Sequence, residues 1–271
     1  MLYGRVIELT VGGKQFKNGI GLDGLTIFFD VPFDDDKEPN VGTIKVYNMA
    51  ESTIAAIKKN QAIILNAGYQ SDIGSLLLGF VEKVQTTWQG VDKITEITAV
   101  DGAEKWYSQI VKKTYTPGTT GKAMLTDLVK QTGLEIGSFV LPADRPYRGG
   151  KVFNTKLRNA IAEVAKDCGA KAHVTRGKVF IRPKNEGQTI GFVIDKDHGL
   201  VSSPTPIEKD IGKGEKKTLV QGWKVVTLLN HRITTDAILQ IKSKTANGMF
   251  RVEAGRHDGN SFLTEMEVYP V

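Results

Sequence analysis

Few residues in this chain are of types and at spacings that could do chemistry. Gly118-Thr119-Thr120-Gly121-Lys122-Ala123 has the glycines and lysine of a phosphate-binding loop. Such a loop needs four residues between its glycines and a Ser or Thr after the lysine. Here two residues intervene, and Ala123 offers no hydroxyl for magnesium, so the segment is predicted to open a helix. Asp34-Asp35-Asp36 with Glu38 presents hard oxygen ligands of the kind calcium takes. It lacks the alternating ligands and central glycine of an EF-hand loop, which predicts a solvated acidic loop. His257-Asp258 sets a base beside a carboxylate, but adjacent residues in extended chain point to opposite sides, and Asp258-Gly259 reads as a type I′ turn. Glu265 and Glu267 share one strand face, where two carboxylates could in principle serve a glycosidase. On a terminal strand among polar residues they are predicted to be solvated. Cys168, the single cysteine, leaves no intramolecular disulfide and no cysteine-only zinc site. His173, His198, His231 and His257 are widely spaced, with no HExxH. The expectation is no catalytic, cofactor-binding or metal residue.

The elements that would position such groups follow from length and pattern. At roughly 150 residues per domain, 271 residues suggest about two domains. A chain of this length buries about three quarters of its unfolded surface without a disulfide or metal staple. Hydrophobic content of 40% and charged content of 24% describe an ordinary globular protein. The net charge of +6 is spread among 36 basic and 30 acidic residues with no long run of one sign, so it permits an acidic partner without requiring one. No apolar run approaches 18 residues, so no membrane insertion is expected. Met1-Leu2-Tyr3-Gly4-Arg5 lacks the plan of a signal peptide. Folding in a reducing cytoplasm is the expectation.

The first hundred residues read as strands: Arg5–Val11, Lys14–Lys17, Leu25–Val31, Gly42–Asn48, Ala62–Tyr69, Leu76–Trp88 and Lys93–Val100. Leu25–Val31 is apolar at nearly every position, which suits a strand covered on both faces. Glu51–Lys59 is predicted as a short helix. In the middle, Thr119 or Thr120 caps a helix ending at Gly133, and Leu125, Leu128 and Val129 share one face. Asn154 or Thr155 caps a second helix, where Leu157, Ile161, Val164, Ala165 and Cys168 recur at helical period and Gly169 stops it. A hairpin, Ala170–Val174 with Lys178–Arg182, closes this α+β unit. The strands Gly222–Asn230, Ala237–Ser243, Met249–Gly255 and Phe262–Tyr269 follow a polar loop over 202–217.

The two β regions resemble each other. Gly79-Phe80-Val81-Glu82-Lys83-Val84 parallels Gly248-Met249-Phe250-Arg251-Val252-Glu253, Gly90 parallels Gly259, and Thr95-Glu96-Ile97 parallels Thr264-Glu265-Met266. The offset stays near 169 residues at both glycines and at the glutamate. This predicts two related small β-barrels flanking an inserted α+β unit, a mainly β fold. The boundaries are 1–108 for the first barrel, 109–185 for the α+β unit and 186–271 for the second barrel.

The order of elements resembles the baseplate hub proteins of bacteriophage tails and related tail-like injection particles. The likeness rests on four stretches. They are Gly42–Asn48 through Ile63–Tyr69 and Leu78–Val81 to Val100-Asp101-Gly102; the helix from Thr120 to Gly133; Leu157 to Gly169 with the hairpin to Pro183; and Val225–Asn230 through Gly248–Val252 to His257-Asp258-Gly259. The resemblance implies tail-tube-like double barrels in a homotrimer, a pseudo-sixfold ring in the tail baseplate of a virion. Such a ring joins the tail tube or a distal tail protein to a central spike or tip protein, with genomic DNA passing as cargo. With no catalytic, cofactor or metal pattern among the residues, no cofactor, no metal and no enzyme activity are expected. The chain departs from the family in carrying no lysozyme, peptidase or spike domain after Val271, and in its long charged loop 205–221. Two other readings stand beside this one: a wall-degrading tail enzyme using Glu265 or the His257-Asp258 pair, and a nucleic-acid-binding module suggested by the +6 charge alone.

Overall fold

The computed structural model describes residues 4–19, 24–184, 186–210 and 219–271. Gly212, Gly214 and Lys217 of the predicted loop, and Met1-Leu2-Tyr3, lie outside the described residues.

The first β region contains β1 (Arg5–Val11), β2 (Lys14–Lys17), β3 (Ile27–Phe33), β4 (Val41–Tyr47), helix α1 (Glu51–Ala56), β5 (Ala62–Tyr69), β6 (Asp72–Gln89) and β7 (Asp92–Asp101). Alternation of apolar and polar residues sets the faces. Val6 to Val11, Ile27 to Phe33 and Val41 to Tyr47 each bury every second residue. β3 is therefore not covered on both faces, since Asp30 between Phe29 and Val31 is exposed. Helix α1 stops at Ala56, because Ile57 already has extended backbone.

The middle region contains α2 (Glu104–Ser108), β8 (Ile110–Tyr115), α3 (Gly121–Thr132), β9 (Glu135–Phe139), β10 (Lys151–Lys156), α4 (Leu157–Asp167), β11 (Ala170–Thr175) and β12 (Lys178–Pro183). Thr120 accepts a hydrogen bond from the Ala123 amide at 3.2 Å, and Gly133 closes α3 in the left-handed region at φ 74°. Asn154 and Thr155 are not caps. They lie in β10, which pairs with β8, and α4 starts at Leu157 after an extended Lys156. The α3 and α4 faces foreseen from periodicity, with Cys168 among them, pack around the fully buried Trp106.

The last region contains β13 (Gln188–Ile194), β14 (Thr205–Asp210), β15 (Leu219–Leu228), β16 (Ala237–Lys242), β17 (Asn247–Asp258) and β18 (Leu263–Pro270). The predicted polar loop 202–217 is thus interrupted by a strand, β14, which pairs with β15 from Thr205 opposite Lys224 to Asp210 opposite Leu219.

The internal repeat is visible in the strand order. The first half of the sheet runs β3-β4-β7-β6-β5-β1, and the second runs β14-β15-β18-β17-β16-β13. Corresponding neighbours pair alike, except that β1 lies antiparallel to β5 while β13 lies parallel to β16. The same bulge recurs: one residue is extra between Val81 and Lys83 and one between Val252 and Ala254. The bulge residues are Glu82 and Glu253, so the match is two residues away from the one read off the sequence. The hairpin connections differ in length, and that moves the offset along the chain.

The two halves form one continuous 13-stranded sheet, and no ladder closes either into a barrel among the described residues. They join because β17 serves both. Its start pairs with β16, and Gly255 to Asp258 pairs with β3. The crossing leaves no room for a side chain at Gly255, where a Cβ would lie 2.3 Å from the Glu265 carbonyl oxygen. Beyond the crossing, Phe262 enters the core of the first half, and Phe33 of the first half enters the core of the second. The connection 259–262 is not the predicted type I′ turn. Gly259 lacks positive φ, Asp258 accepts from the Asn260 amide at 2.8 Å, and the left-handed residue is Phe262 at φ 63°.

Candidate functional site

Three hydrophobic cores meet at a cluster of buried charge. Its origin is the alternation of one hairpin. On β11 and β12, Ala172, Val174, Val179 and Ile181 turn into the core of the α+β unit. The alternate residues, Lys171, His173, Thr175, Lys178, Phe180 and Arg182, must then face outward. That face abuts the second β half. Asp236, 1% exposed and held at φ 64°, stands at its centre. Its Oδ1 accepts from Lys171 Nζ at 2.8 Å and from Arg251 Nε and Nη2 at 2.9 and 2.6 Å. Its Oδ2 lies 3.7 Å from His173 Nε2 and 3.6 Å from Arg182 Nε. Asp35, from the first half, accepts from both Lys171 and Arg251. Burial would raise the Asp35 carboxyl, but Lys171 and Arg251 outweigh it and hold it below the usual range. Burial pushes His173 down to about 4 and keeps it neutral beside three cations.

The segment with Asp34-Asp35-Asp36 and Glu38 is a loop in which Asp36 and Glu38 are exposed, as expected, but Asp35 is drawn into the ion cluster. The segment ties the first half to the α+β unit. Lys37 donates to Asn159 at 2.9 Å, and Glu38 pairs with the buried Arg158 at 2.7 Å. Asp35 and Glu38 have protein cations as counter-ions, while Asp34 and Asp36 accept hydrogen bonds from the backbone amides of Asp36 and Glu38. Among the described residues, no group of three His, Cys, Asp or Glu side chains gathers as a metal site.

The remaining candidates are placed apart. Gly118 to Ala123 forms the start of α3, with the Lys122 amide bonded to Asp144. His257 is 1% exposed, its Nδ1 is 2.9 Å from the Thr264 hydroxyl, and burial drives its imidazole well below the ordinary range. Asp258 instead bonds Ser261 and the Asn260 amide. Glu265 is not merely solvated. Arg256 at 3.0 Å and Lys224 at 3.2 Å hold it ionised below the usual range, the reverse of what a general acid needs. Glu267 is exposed. Cys168 is buried and free. His198 contacts Asp195, and His231 contacts Asp72, far from each other in sequence and in different surroundings.

Surfaces suited to assembly are also present. The β6–β7 hairpin runs on past the core, with residues 85–89 exposed, Trp88 at 69% and Val91 at 91%. β2 and β14 end the sheet path among the described residues. No helix among the described residues is long and apolar enough to cross a membrane.

Sequence reasoning missed Lys171, Asp236 and Arg251. A signal was present: in a short hairpin with one apolar face, the alternate positions carry three basic residues and a histidine, which demands a buried counter-charge.

Solved bacteriophage tail proteins superimpose on nearly the whole of this doubled unit with its α+β unit. The tail protein from Neisseria meningitidis MC58 superimposes with a TM-score of 0.67 at 8% identity, covering 98% of this chain and 97% of that one. The 43 kDa tail protein of prophage MuSo2 from Shewanella oneidensis gives 0.70 at 11% identity over 98% and 97%. An Escherichia coli component of the type VI secretion system, itself structurally similar to bacteriophage T4 tail proteins, gives 0.66 at 9% over 97% and 76%. No family model and no curated protein matches the sequence. The chain has the fold of these tail proteins, and the resemblance to baseplate hubs read from its sequence stands on that fold.

Proposed function

We propose that the chain is a structural hub subunit of a phage or phage-like tail baseplate, divided as 1–108, 109–185 and 186–271. Three copies assemble into a ring that joins a tail tube or distal tail protein to a central spike or tip protein and surrounds the path of the DNA. It has no catalytic centre, and it works in the particle after assembly in the host cytoplasm. The observation that carries this reading is the repeated strand order with its shared bulge. Two equivalent units in one chain let a trimer present six similar units, so one ring can match sixfold symmetry on one side and threefold on the other. Buried charge at the junction supports it, because it fixes the two halves and the α+β unit in one rigid arrangement.

The test is the mass of the purified protein in solution, alone and with tail-tube and spike proteins, together with class averages of the particles. A species of three times the 29.7 kDa chain mass, with threefold images and a central opening, is expected. A strict monomer that adds to no tail component refutes the reading.

A further inference from the structure

The outward face of β11–β12 is only partly used by the ion cluster. Past Arg182 it opens into a cleft of about 570 Å³ between this hairpin, β13 and the 231–237 segment. Lys178, Phe180 and Arg182 line it from alternate positions of β12, and Arg176 and Arg232 add two more cations. No carboxylate lines it among the described residues.

Arg232 is paired with Asp72 at 2.5 Å, and the other cations are incompletely neutralised. The junction cluster sets Lys171, Arg251 and Arg182 against Asp35 and Asp236, and the first two cations bond Asp35 and the Oδ1 of Asp236. Arg182 Nε lies 3.6 Å from Asp236 Oδ2, beyond hydrogen-bond distance, and neither atom has a hydrogen-bond partner. Arg176 donates to the Ile233 carbonyl at 3.0 Å, makes no salt bridge among the described residues, and also has an unpartnered Nε. Lys178 meets only Glu135, itself exposed, so that pair is worth little. Thr175 and Thr235 are each 5% exposed, line the same cleft and have unpartnered hydroxyls. Buried polar atoms without partners are rare in folded proteins and ask for an explanation.

The spacing names the ligand. Lys178 and Arg182 lie four residues apart on one strand, or about 13 Å. A single phosphate cannot bridge that span. Between them stands Phe180, whose ring stacks on His173 at 5.4 Å. The opposite wall includes Ile190 on β13, and Gln188, Thr189 and Ile190 line it in succession, so main chain as well as side chain faces the cleft. β13 pairs only with β16 among the described residues and is free on its other edge.

We propose that this cleft docks an extended acidic segment of a partner protein, with carboxylates at its first and fifth positions and an apolar side chain at the third. The carboxylates meet Lys178 and Arg182, and the apolar group lies against Phe180 and Ile190. Nothing in this depends on the ring, so peptide binding and ring formation succeed or fail separately.

The test is fluorescence anisotropy on the full chain with a labelled seven-residue peptide carrying glutamates four apart and a leucine midway. The expected result is saturable binding of one peptide per chain that weakens with salt and is lost when glutamines replace the glutamates. The double variant Lys178→Gln with Arg232→Gln, both at the surface, should weaken it about tenfold, and Arg182→Gln by at least as much. Lys58→Gln with Lys59→Gln removes the same charge elsewhere and should change nothing. Equal loss in that control, tighter binding of a 12-base-pair DNA duplex or of pyrophosphate at the same cleft, or no saturable binding overturns the proposal.

Discussion

Asp236→Asn tests whether the buried charge joins the three cores. Asparagine keeps the shape and tolerates the left-handed backbone at φ 64°, so the substitution removes charge and little else. Three donor bonds fall on one oxygen, at 2.8, 2.9 and 2.6 Å. Each changes from a bond to an ion into a bond to a neutral amide, a loss of about 1 kcal/mol apiece. Lys171, Arg251 and Arg182 are then left with Asp35 as their only carboxylate, and the amide N–H₂ faces Arg182 Nε, donor to donor. Breaking a buried ion pair on one side costs about 3–5 kcal/mol, and the bond-by-bond estimate falls at the lower end of that range. The assay is urea unfolding followed by the fluorescence of versions that keep one of the three tryptophans, Trp106 reporting the α+β core and Trp223, packed on Phe250, reporting the second β half. The parent is expected to lose both signals together, whereas D236N loses them at separate midpoints, with the total cost in the stated range. Arg251→Met should cost less on the D236N background than on the parent, because its counter-charge is already gone. A D236N cost under about 1 kcal/mol with coincident transitions refutes the argument that this cluster couples the cores.

Three other perturbations have expected outcomes. His173, pushed down to about 4 by burial, refuses a proton that the unfolded chain accepts between pH 6.5 and 4, so it removes stability on acidification through that window. Asp101, pushed up to about 6 by burial, takes its proton first in the folded chain and adds stability as pH falls from 6 toward 4. His173→Gln should therefore flatten the acid loss and Asp101→Asn should steepen it, each by up to about 3 kcal/mol, read from urea midpoints at several pH values; parallel curves for all three chains refute the assignment. Phe262→Ala should cost about 3–5 kcal/mol in thermal or urea unfolding, since it empties a site in the core of the first half from a residue of the second. Trp88→Ala should leave the unfolding midpoint within about 0.5 kcal/mol of the parent, since its side chain is exposed, yet reduce addition to tail components in a pull-down; unchanged assembly removes the hairpin tip from the interface.

Most of the framework was legible in the residues. The alternation in Arg5–Val11 and Ala62–Tyr69, the helical period from Leu157 to Cys168, and the left-handed stop at Gly133 each depend on neighbours within one element, so local pattern suffices. The repeat was legible as well, because paired strands keep similar residues at similar spacing. That Gly118–Ala123 opens a helix could also be judged by spacing alone.

Tertiary structure decided what long-range pairing alone can create. The branching of β17, which sends Phe262 into the other half, follows from a shared strand and a crossing that only glycine permits. β14 pairs with a strand beyond it, so its polar sequence looked like loop. Above all, Asp35, Lys171, Asp236 and Arg251 come from four distant stretches, and each alone reads as a surface charge. Their burial follows from three cores meeting at one point, and a charge taken out of water there must find its partner in another part of the chain. That joint, and the unfilled cleft beside it, are properties of the packed molecule that no single stretch of its sequence carries.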